Sequence, residues 1–207
     1  MSMGVKNKGN FTMVTRTIQI SASDAELLRA ICGGDRHAMK LFYARHSVRV
    51  FRFVLRFVAD DESAAEDLVN DVFLDVWRKA ETFSGHSQVS TWLLAIARNK
   101  AITVTRRRSC DPLNDDVCET IEDGADDPET ATGKSQTRSL LSQCLKKLSP
   151  PHREIIDLVY YHEKSIDEVA GIIRVPSNTV KTRMFYARNH LAKLLAEARL
   201  DRDLLAA

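Results

Sequence analysis

The 207-residue sequence has only four cysteines, five prolines and eight glycines, and no apolar run approaches the length of a membrane-spanning helix. The cysteines (Cys32, Cys110, Cys118 and Cys144) show no Cys-x-x-Cys or Cys/His spacing, so neither a zinc site nor a disulfide framework is predicted. Residues 1–20 lack the apolar segment of a signal peptide. We therefore expect a reduced, cytoplasmic protein without stable membrane insertion.

The motifs of common enzymes are also missing. The six histidines have no metal-ligand spacing, and the sequence contains neither a glycine-rich phosphate loop nor a nucleophile motif. A helical enzyme is therefore the weakest of the functional classes considered. No catalytic residue, metal site or cofactor is predicted.

Alternation of apolar and polar residues, the pattern of β-strands, is nearly absent, whereas helix signals are dense. Three Ser-x-x-Glu sequences, beginning at Ser23, Ser63 and Ser165, match the capping box of a helix N-terminus. Pro150 and Pro151 suit a first helical turn. We predict an all-α protein with helices at 24–33, 36–59, 63–80, 90–108, 136–147, 151–162, 165–173 and 177–199.

Charge is unevenly distributed, although the formal net charge is only +2. Residues 98–108 hold five bases and no acid, whereas residues 111–129 hold nine acids and no base. The acidic stretch has few large apolar residues, so it cannot bury enough surface to offset its ordering entropy. We predict two small helical domains joined by a flexible acidic linker. The predicted segments are a flexible N-terminus at 1–20, domains at 21–109 and 135–199, a linker at 110–134 and a tail at 200–207.

The segment SNTVKTRMFYARNHL (177–191) combines an apolar stripe with a polar face that holds no acid. The stripe is formed at helical spacing by Val180, Met184, Ala187 and Leu191. Because Pro176 ends the preceding helix, we predict a helix-turn-helix whose second helix enters the major groove. A helical hairpin with a solvated basic face is the alternative. The side chains expected to face DNA are Ser177, Asn178, Thr179, Lys181, Thr182, Arg183, Tyr186 and Arg188.

A second group of candidate binding residues lies in segment 65–108. Its first helix carries a polar ridge opposite the apolar face, for which plain solvated surface is the alternative; the ridge contains Asp67, Asp71, Asp75 and Arg78. A polar loop, 83–90, precedes a helix with a basic end, and such a loop could hold unstacked bases. Trp92 is more simply explained as a core aromatic, an alternative that also applies to Phe83.

The motif order AEDLVNDVF, FSG, TWLLAIARN, RRR, acidic linker, LSPPHREIIDLVYY and VPSNTVKTRMFYAR resembles an extracytoplasmic-function (group IV) sigma factor. The resemblance covers about residues 24–196. It implies a bacterial RNA polymerase specificity subunit with sigma regions two and four and no catalytic residue. Region two would dock on the clamp helices of the largest polymerase subunit and melt the minus-ten element of promoter DNA. Region four would recognise the minus-35 element and rest on the flap of the second-largest subunit, and an anti-sigma factor is a further implied partner.

The same resemblance assigns residues by position. Contacts to core polymerase fall on Asp67, Asn70 and Asp71. Contacts to the minus-ten element fall on Phe83, Ser84, Gly85, His86, Ser87, Gln88 and Asn99, and the basic helix that supplies Arg98, Arg106 and Arg107 would neutralise phosphates. The main minus-35 positions are Lys181, Thr182 and Tyr186. Asn70 replaces a usual glutamine, and Ser84 and Tyr186 replace frequent arginines, so the resemblance leaves the promoter sequence open.

Two features stand apart from this assignment. A helix-turn-helix regulator that is not a polymerase subunit is the alternative function, but it would need a ligand pocket or receiver domain where segment 65–108 lies. The family pattern does not explain a basic stripe on the second helix, formed by Arg45, Arg49, Arg52 and Arg56. A solvated face is the simpler interpretation of this stripe, and contact with DNA or polymerase is the alternative.

Overall fold

The computed structural model describes residues 22–58, 61–109 and 132–205. The predictions for the N-terminus, for the linker up to residue 131 and for Cys110 and Cys118 lie outside the described residues. Eight α-helices and no strand occur in the described ranges, which confirms the all-α prediction. The helices are α1 (Asp24–Cys32), α2 (Arg36–Leu55), α3 (Glu62–Lys79), α4 (Val89–Ser109), α5 (Thr132–Lys146), α6 (Pro150–Ile156), α7 (Ile166–Ile173) and α8 (Ser177–Leu205).

Helices α1 to α4 form the first helical unit, called region two below. Their apolar faces converge on a core in which Leu27, Phe42, Val72 and Leu93 are almost completely buried. The ring of Phe42 meets that of Phe73 edge-on with centroids 6.1 Å apart. This packing fixes α3 and α4 side by side, so the polar face of α3 and the loop before α4 have defined positions.

Helix N-termini follow the predicted capping chemistry at two of the three Ser-x-x-Glu sequences. Complete capping boxes occur at Ser23 and Ser165. The prediction for Ser63 is wrong, because α3 is capped by Asp61, whose carboxylate accepts a hydrogen bond from the Ala64 backbone N–H at 3.0 Å. The cap therefore lies two residues upstream of Ser63, and Ser63 itself is within the first turn of α3.

Helices α5 to α8 form the second unit, called region four below. The predicted stripe of α8 faces its core, with Val180, Met184 and Ala187 buried. Between α7 and α8 the chain reverses at Arg174, which adopts the left-handed conformation (φ 56°, ψ 50°). The Pro176 carbonyl then accepts from the Thr179 N–H at 2.9 Å. Two helices and a tight turn match the predicted helix-turn-helix.

Several element boundaries differ from the prediction. Helix α2 ends at Leu55, α5 begins at Thr132, and α8 continues to Leu205, beyond the predicted helix end at residue 199. The predicted helix 151–162 ends in a π-helical turn at Asp157–Tyr161. The His162 N–H donates a hydrogen bond to the Asp157 carbonyl at the end of this turn. The centroid of the His162 ring lies 5.4 Å from that of Phe53.

Region two and region four pack against each other, chiefly through α4 and α7. The junction buries three polar side chains, since Asp157, His162 and Lys164 are 3%, 2% and 4% exposed. The sequence analysis, which placed two domains on a tether, did not predict this contact. In the described part of the chain, no helix combines the length and apolar character needed to cross a membrane.

Candidate polymerase and nucleic-acid interface

The predicted polymerase-contact residues lie together on the outer face of α3. Asp67, Asn70 and Asp71 are all exposed, and the apolar residues between them, Leu68 and Val69, point into the core. This arrangement leaves two carboxylates and an amide on one open surface. The structure thus supports the predicted grouping of these three side chains.

Asp75, the next acid of the predicted ridge, has a different environment. Lys79 and Lys100 approach its carboxylate at 3.0 and 3.3 Å. Burial opposes ionisation of Asp75, but hydrogen bonds from these two lysines outweigh it and lower the pKa of the carboxyl. Because Lys100 belongs to α4, Asp75 ties α3 to α4, whereas Asp67, Asp71 and Arg78 of the ridge are exposed.

Beside the ridge lies an open cavity of about 460 Å³ between α2 and α3. Tyr43, Val48 and Asn70 are among its lining residues, and the Val48 side chain is 59% exposed. The sequence analysis missed this apolar patch. The available signal was the position of Val48 on α2, outside the helical register of the buried residues Phe42, His46, Val50 and Phe53.

The predicted minus-ten loop, residues 83–88, connects α3 to α4 and is exposed except at its first residue. Gly85 has φ +77°, a left-handed conformation that favours glycine. Phe83 is partly buried and packs edge-on against Trp92 with ring centroids 5.5 Å apart. The core interpretation of Trp92 is therefore confirmed, and Phe83 anchors the loop to it.

The C-terminal end of this loop is held by region four. The Lys164 ammonium donates to Gln88 Oε1 at 3.1 Å and to Ser90 Oγ at 2.6 Å. Beside it, the Thr91 hydroxyl donates to Glu168 Oε1 at 2.5 Å. Burial acts to raise the pKa of Glu168, but hydrogen bonds from Thr91 and Ser165 and the charge of Lys164 lower it to about 2.

The basic side chains predicted to contact the minus-ten region divide between two faces of α4. Arg98 faces region four, where it forms a two-pronged ion pair with Glu154 at 2.6 and 3.2 Å. Asn99 and Arg107 instead line a groove of about 360 Å³ against α3. Arg106 is exposed at the rim of the cleft between the two units. The structure does not bring these residues onto one surface.

The predicted minus-35 surface is the outer face of α8. Asn178, Lys181, Thr182 and Arg188 are exposed, as is Tyr186 at 58%. A hydrogen bond from the Ser177 hydroxyl to Asp167 Oδ1, at 2.6 Å, fixes the start of α8 against α7. The remaining predicted residues, Thr179 and Arg183, are half-buried at the edge of this face.

Further side chains near α8 extend the predicted surface. Phe185 is 60% exposed and its ring lies 5.6 Å from that of Tyr186. The Arg188 guanidinium lies 5.6 Å from the centre of the Tyr160 ring. Sequence analysis missed Phe185; its position outside the buried stripe was the available signal.

The basic stripe of α2 has intramolecular partners at three of its four positions. Arg45 donates to Asp24 at 2.5 Å and to the Ala22 carbonyl at 2.9 Å. Across the domain junction, Arg52 bonds the Tyr161 hydroxyl and Arg56 pairs with Asp157. All four arginines are exposed, which agrees with the interpretation of the stripe as a solvated face, and three of them also hold other helices.

Among the residues that the structure describes, no group of three or more His, Cys, Asp or Glu side chains is arranged so that it could hold a metal ion. The two cysteines in that part of the chain are free, Cys32 being exposed and Cys144 buried.

Comparison with known families agrees with the geometry. The model of Sigma-70 region 2 matches residues 42–110, and that of Sigma-70 region 4 matches residues 138–191. The two matches together cover more than half of the chain, in the order that the motifs suggested.

Curated relatives match nearly end to end. The chain is 27% identical over 183 residues to the RNA polymerase sigma-H factor of Pseudomonas aeruginosa, covering 83% of this chain and 93% of the relative. It is 28% identical over 191 residues to the ECF RNA polymerase sigma factor SigK of Mycobacterium tuberculosis, covering 86% and 96%. SigL of the same species is also 28% identical, over 194 residues, covering 91% of this chain and all of SigL.

Solved structures show the same fold. CnrH in complex with the cytosolic domain of CnrY aligns with a TM-score of 0.62 at 22% identity, covering 84% of this chain and 97% of CnrH. The sigma factor RpoE in complex with the anti-sigma factor NepR from Bartonella quintana gives 0.62 at 24%, covering 76% and 96%. With both sigma regions present in order and full-length relatives of that type, the chain belongs to the extracytoplasmic-function sigma factors of RNA polymerase.

Proposed function

We propose that this sigma factor directs promoter-specific initiation through three separate surfaces. The outer face of α8 recognises the minus-35 element, the loop 83–88 with α4 captures the minus-ten element, and the α3 ridge binds core polymerase. The single observation that carries the proposal is the outer face of α8. It presents base-contacting side chain types on a helix whose opposite stripe is buried in a helix-turn-helix.

The chemistry of α8 suits the major groove. Lys181 can donate to guanine acceptors, and the Thr182 hydroxyl can donate, accept or place its methyl group against thymine. Arg188, farther along the helix, suits phosphate contacts that carry no sequence information. We therefore assign sequence recognition to the first turns of α8 and general affinity to its later basic residues.

Capture of the minus-ten element requires a base to leave the stack, which costs a few kcal/mol that protein contacts must recover. The loop 83–88 offers exposed hydroxyl, imidazole and amide groups beside the partly buried Phe83. Asn99 and Arg107 lie in the groove on the neighbouring face of α4. These groups fit binding of a flipped base, with phosphates neutralised by the basic end of the helix.

The proposed partners are core polymerase, promoter DNA and an anti-sigma factor. On the polymerase, we assign the α3 ridge to the clamp helices of the largest subunit and region four to the flap of the second-largest subunit. Two structural relatives were solved in complexes, CnrH with the cytosolic domain of CnrY and RpoE with the anti-sigma factor NepR, and the second complex motivates the third assignment. We assign catalysis to the polymerase, so the sigma factor needs no catalytic residue or cofactor of its own. We place its action in the cytoplasm.

Reconstitution with core polymerase tests the function directly. The protein should direct initiation in vitro from promoters whose upstream sequence is shared by transcripts that rise after its overexpression. Lys181→Ala should then cost about 1–3 kcal/mol in promoter binding and relax the preference at one minus-35 position.

Arg188→Ala is the matched control, because loss of a phosphate contact should weaken specific and scrambled minus-35 sequences alike. If Lys181→Ala weakened binding to the specific and the scrambled sequence equally, Lys181 would not recognise a base. Specific promoter binding by the free protein, without initiation by the holoenzyme, would favour an ordinary helix-turn-helix regulator.

A further inference from the structure

An open cavity of about 570 Å³ lies between the end of α2, the C-terminal half of α4 and the start of α6, and we call it the arginine cleft. Its walls are partly apolar, since Phe57, Ile102 and Pro150 are among the lining residues and Ile102 is 38% exposed. Four arginines also line it, namely Arg56, Arg98, Arg106 and Arg153. The apolar walls have no role in the proposed function.

Only part of the positive charge of the arginine cleft is compensated. Two carboxylates belong to the lining, and each has an arginine partner there. Glu154 pairs with Arg98, and Asp157 pairs with Arg56. Two of the four guanidinium groups, those of Arg106 and Arg153, are therefore left without a carboxylate in the cleft.

The contacts of these two arginines agree with that count. Arg153 donates to the carbonyl oxygens of Lys146 and Leu148, which carry no charge, and its buried Nε has no hydrogen-bond partner among the described residues. Arg106 is exposed at the rim and forms no ion pair with a described residue. Because guanidinium groups bind carboxylates through paired hydrogen bonds, an acidic ligand with apolar side chains fits the arginine cleft.

The segment between α4 and α5 has this chemistry in its sequence. Residues 111–129 hold nine acids and no base. The large apolar residues of this segment, Leu113, Val117 and Ile121, are four positions apart and all lie in its first half. Residues 111–123 thus combine six acids with three apolar side chains, whereas residues 124–131 have three acids and no large apolar residue.

The length of this segment allows it to reach the arginine cleft. Ser109 ends α4 seven residues after Ile102, which is about 10 Å along the helix. The four residues to Leu113 span up to about 13 Å at about 3.3 Å per residue, so the chain can return to Ile102. At the other end, the eleven residues from Ile121 to Thr132 span up to about 36 Å. Helix α5, which leads from Thr132 toward the cleft, is only about 22 Å long.

We propose that residues 111–123 dock in the arginine cleft of their own chain. Their apolar side chains lie against its walls, and their acids pair with Arg106 and Arg153. The tether favours this contact, because it gives the segment a high effective concentration at the cleft. An acid on the Arg106 guanidinium occupies a group that otherwise attracts phosphates of any sequence. The linker thereby lowers the affinity of the free protein for nucleic acid that lacks a promoter.

Methyl NMR of the full-length protein tests the contact directly. Nuclear Overhauser effects should join the methyl groups of Ile102 to those of Leu113, Val117 or Ile121. These signals should weaken at about 0.5 M salt, because salt screens pairs of partly exposed charges.

Two triple variants separate docking from net charge. Asp115→Asn, Asp116→Asn and Glu119→Gln together should remove the Overhauser contacts to Ile102. The matched control is Asp126→Asn, Asp127→Asn and Glu129→Gln, which removes the same three charges from outside the docking segment and should leave the contacts in place. The first variant should also bind a scrambled single-stranded oligonucleotide about threefold more tightly than the control does, because a larger fraction of the cleft is free.

The cleft can be tested from its own side as well. Arg106→Gln should reduce the Overhauser contacts between Ile102 and the linker. Arg107→Gln removes the same charge one residue away, in the groove against α3, and should not reduce them. Equal losses in both variants would show a general attraction between the linker and α4 and would overturn docking in the cleft.

Other results would also overturn the proposal. One is a wild type without contacts between Ile102 and the linker, together with identical cleft signals in the two triple variants. Contacts found only between differently labelled chains would place the linker of a second copy in the cleft. Ile102 signals that ignore the linker variants but shift with added polyglutamate would assign the cleft to a separate acidic partner. None of these measurements uses core polymerase, so their failure would leave the proposed function intact.

Discussion

The two surfaces proposed to contact DNA differ in how much of their polar chemistry is already in use. On α8, Lys181 and Thr182 are exposed, and Tyr186 is 58% exposed. At the minus-ten surface, the Arg98 side chain is only 18% exposed and paired, and Gln88 is bonded to region four. One surface is available in the free molecule, and the other is partly engaged inside it.

This difference shows how a small two-domain protein can avoid unproductive DNA binding. A sigma factor that exposed both surfaces would bind single strands and duplex wherever charge allowed, because phosphate contacts are independent of sequence. Because Arg98 and Gln88 are engaged within the protein, the minus-ten surface offers fewer free groups to DNA, and the short contact surface of α8 supplies limited affinity. Tight binding then requires both surfaces to act together at promoter spacing, a role that we assign to the polymerase.

The largest expected effect is on promoter binding itself. Free protein should bind a promoter duplex about a thousandfold more weakly than the holoenzyme does, since without the polymerase its two surfaces are not held at promoter spacing. Titration of labelled promoter duplex with free protein and with holoenzyme, at one salt concentration, measures the ratio.

The spacer between the two elements gives a geometric control. Changing it by two base pairs rotates one element by about 70° around the duplex, at about 10.5 base pairs per turn. Initiation by the holoenzyme should fall sharply, whereas the weak binding of free protein should stay the same. Equal tight binding by free protein at every spacer would contradict the comparison.

The second effect concerns the stability of the junction and its dependence on pH. The pKa of Glu168 falls from 4.5 in the unfolded chain to about 2, so its ionised form stabilises the fold fully above pH 4.5. This contribution is lost as pH falls through about 2. Glu168→Gln should therefore lower the unfolding free energy by about 2 kcal/mol at pH 6 and by much less near pH 2.5.

Urea unfolding of wild type and variant at both pH values measures this difference. Thr91→Val is a useful companion, because it removes one bond to Glu168 and leaves the carboxylate in place. If the unfolding free energy of wild type exceeded that of Glu168→Gln by the same amount at both pH values, the charge of Glu168 would not contribute to stability.

Local signals were sufficient for the helices and for α8. The apolar stripe of α8 and the capping boxes at Ser23 and Ser165 involve residues within a few positions of one another, so sequence spacing carries them. At Ser63 the same local rule failed, because Asp61 lies two residues upstream and its carboxylate caps the helix instead.

Contacts between distant residues were not predictable in this way. Lys164 meets Ser90 from 74 positions away, and Arg52 meets Tyr161 from 109 positions away. No feature of either segment identifies the distant residue that it contacts. The basic stripe on α2 therefore had no explanation in the sequence. For the same reason, the sequence did not show how the predicted minus-ten residues divide between the faces of α4. Arg98 and Asn99 are neighbours in sequence, but they lie on different faces of α4.

A third, smaller effect tests the proposed polymerase surface on α3, which is exposed. Replacing both Asp67 and Asp71 by Ala should weaken core polymerase binding about tenfold. Folding should change little, since Lys100, which lies 3.9 Å from Asp71, keeps its closer partner Asp75. Binding is measured by competition for core polymerase, with helical content checked by circular dichroism.

The matched control changes Glu62 and Glu81 to Ala, which removes the same charge from exposed positions flanking the ridge. Equal weakening by both pairs would show a general charge effect and remove the ridge from the interface. Unfolding of the Asp67 and Asp71 variant would indicate that the ridge is structural.

The smallest expected effect lies in the turn that presents α8. Arg174 is exposed and has φ 56°, a left-handed conformation that costs an L-residue about 1–2 kcal/mol. Glycine removes that strain but loses about 0.5–1 kcal/mol through the entropy of the unfolded chain. Arg174→Gly should therefore raise the unfolding free energy by about 0.5 kcal/mol, whereas Arg174→Ala should not. Urea unfolding measures both changes, and minus-35 binding by the holoenzyme should be unaltered, because the side chain lies before the proposed recognition surface. A loss of minus-35 binding in both variants would instead place the Arg174 guanidinium on DNA and extend the α8 surface into the turn.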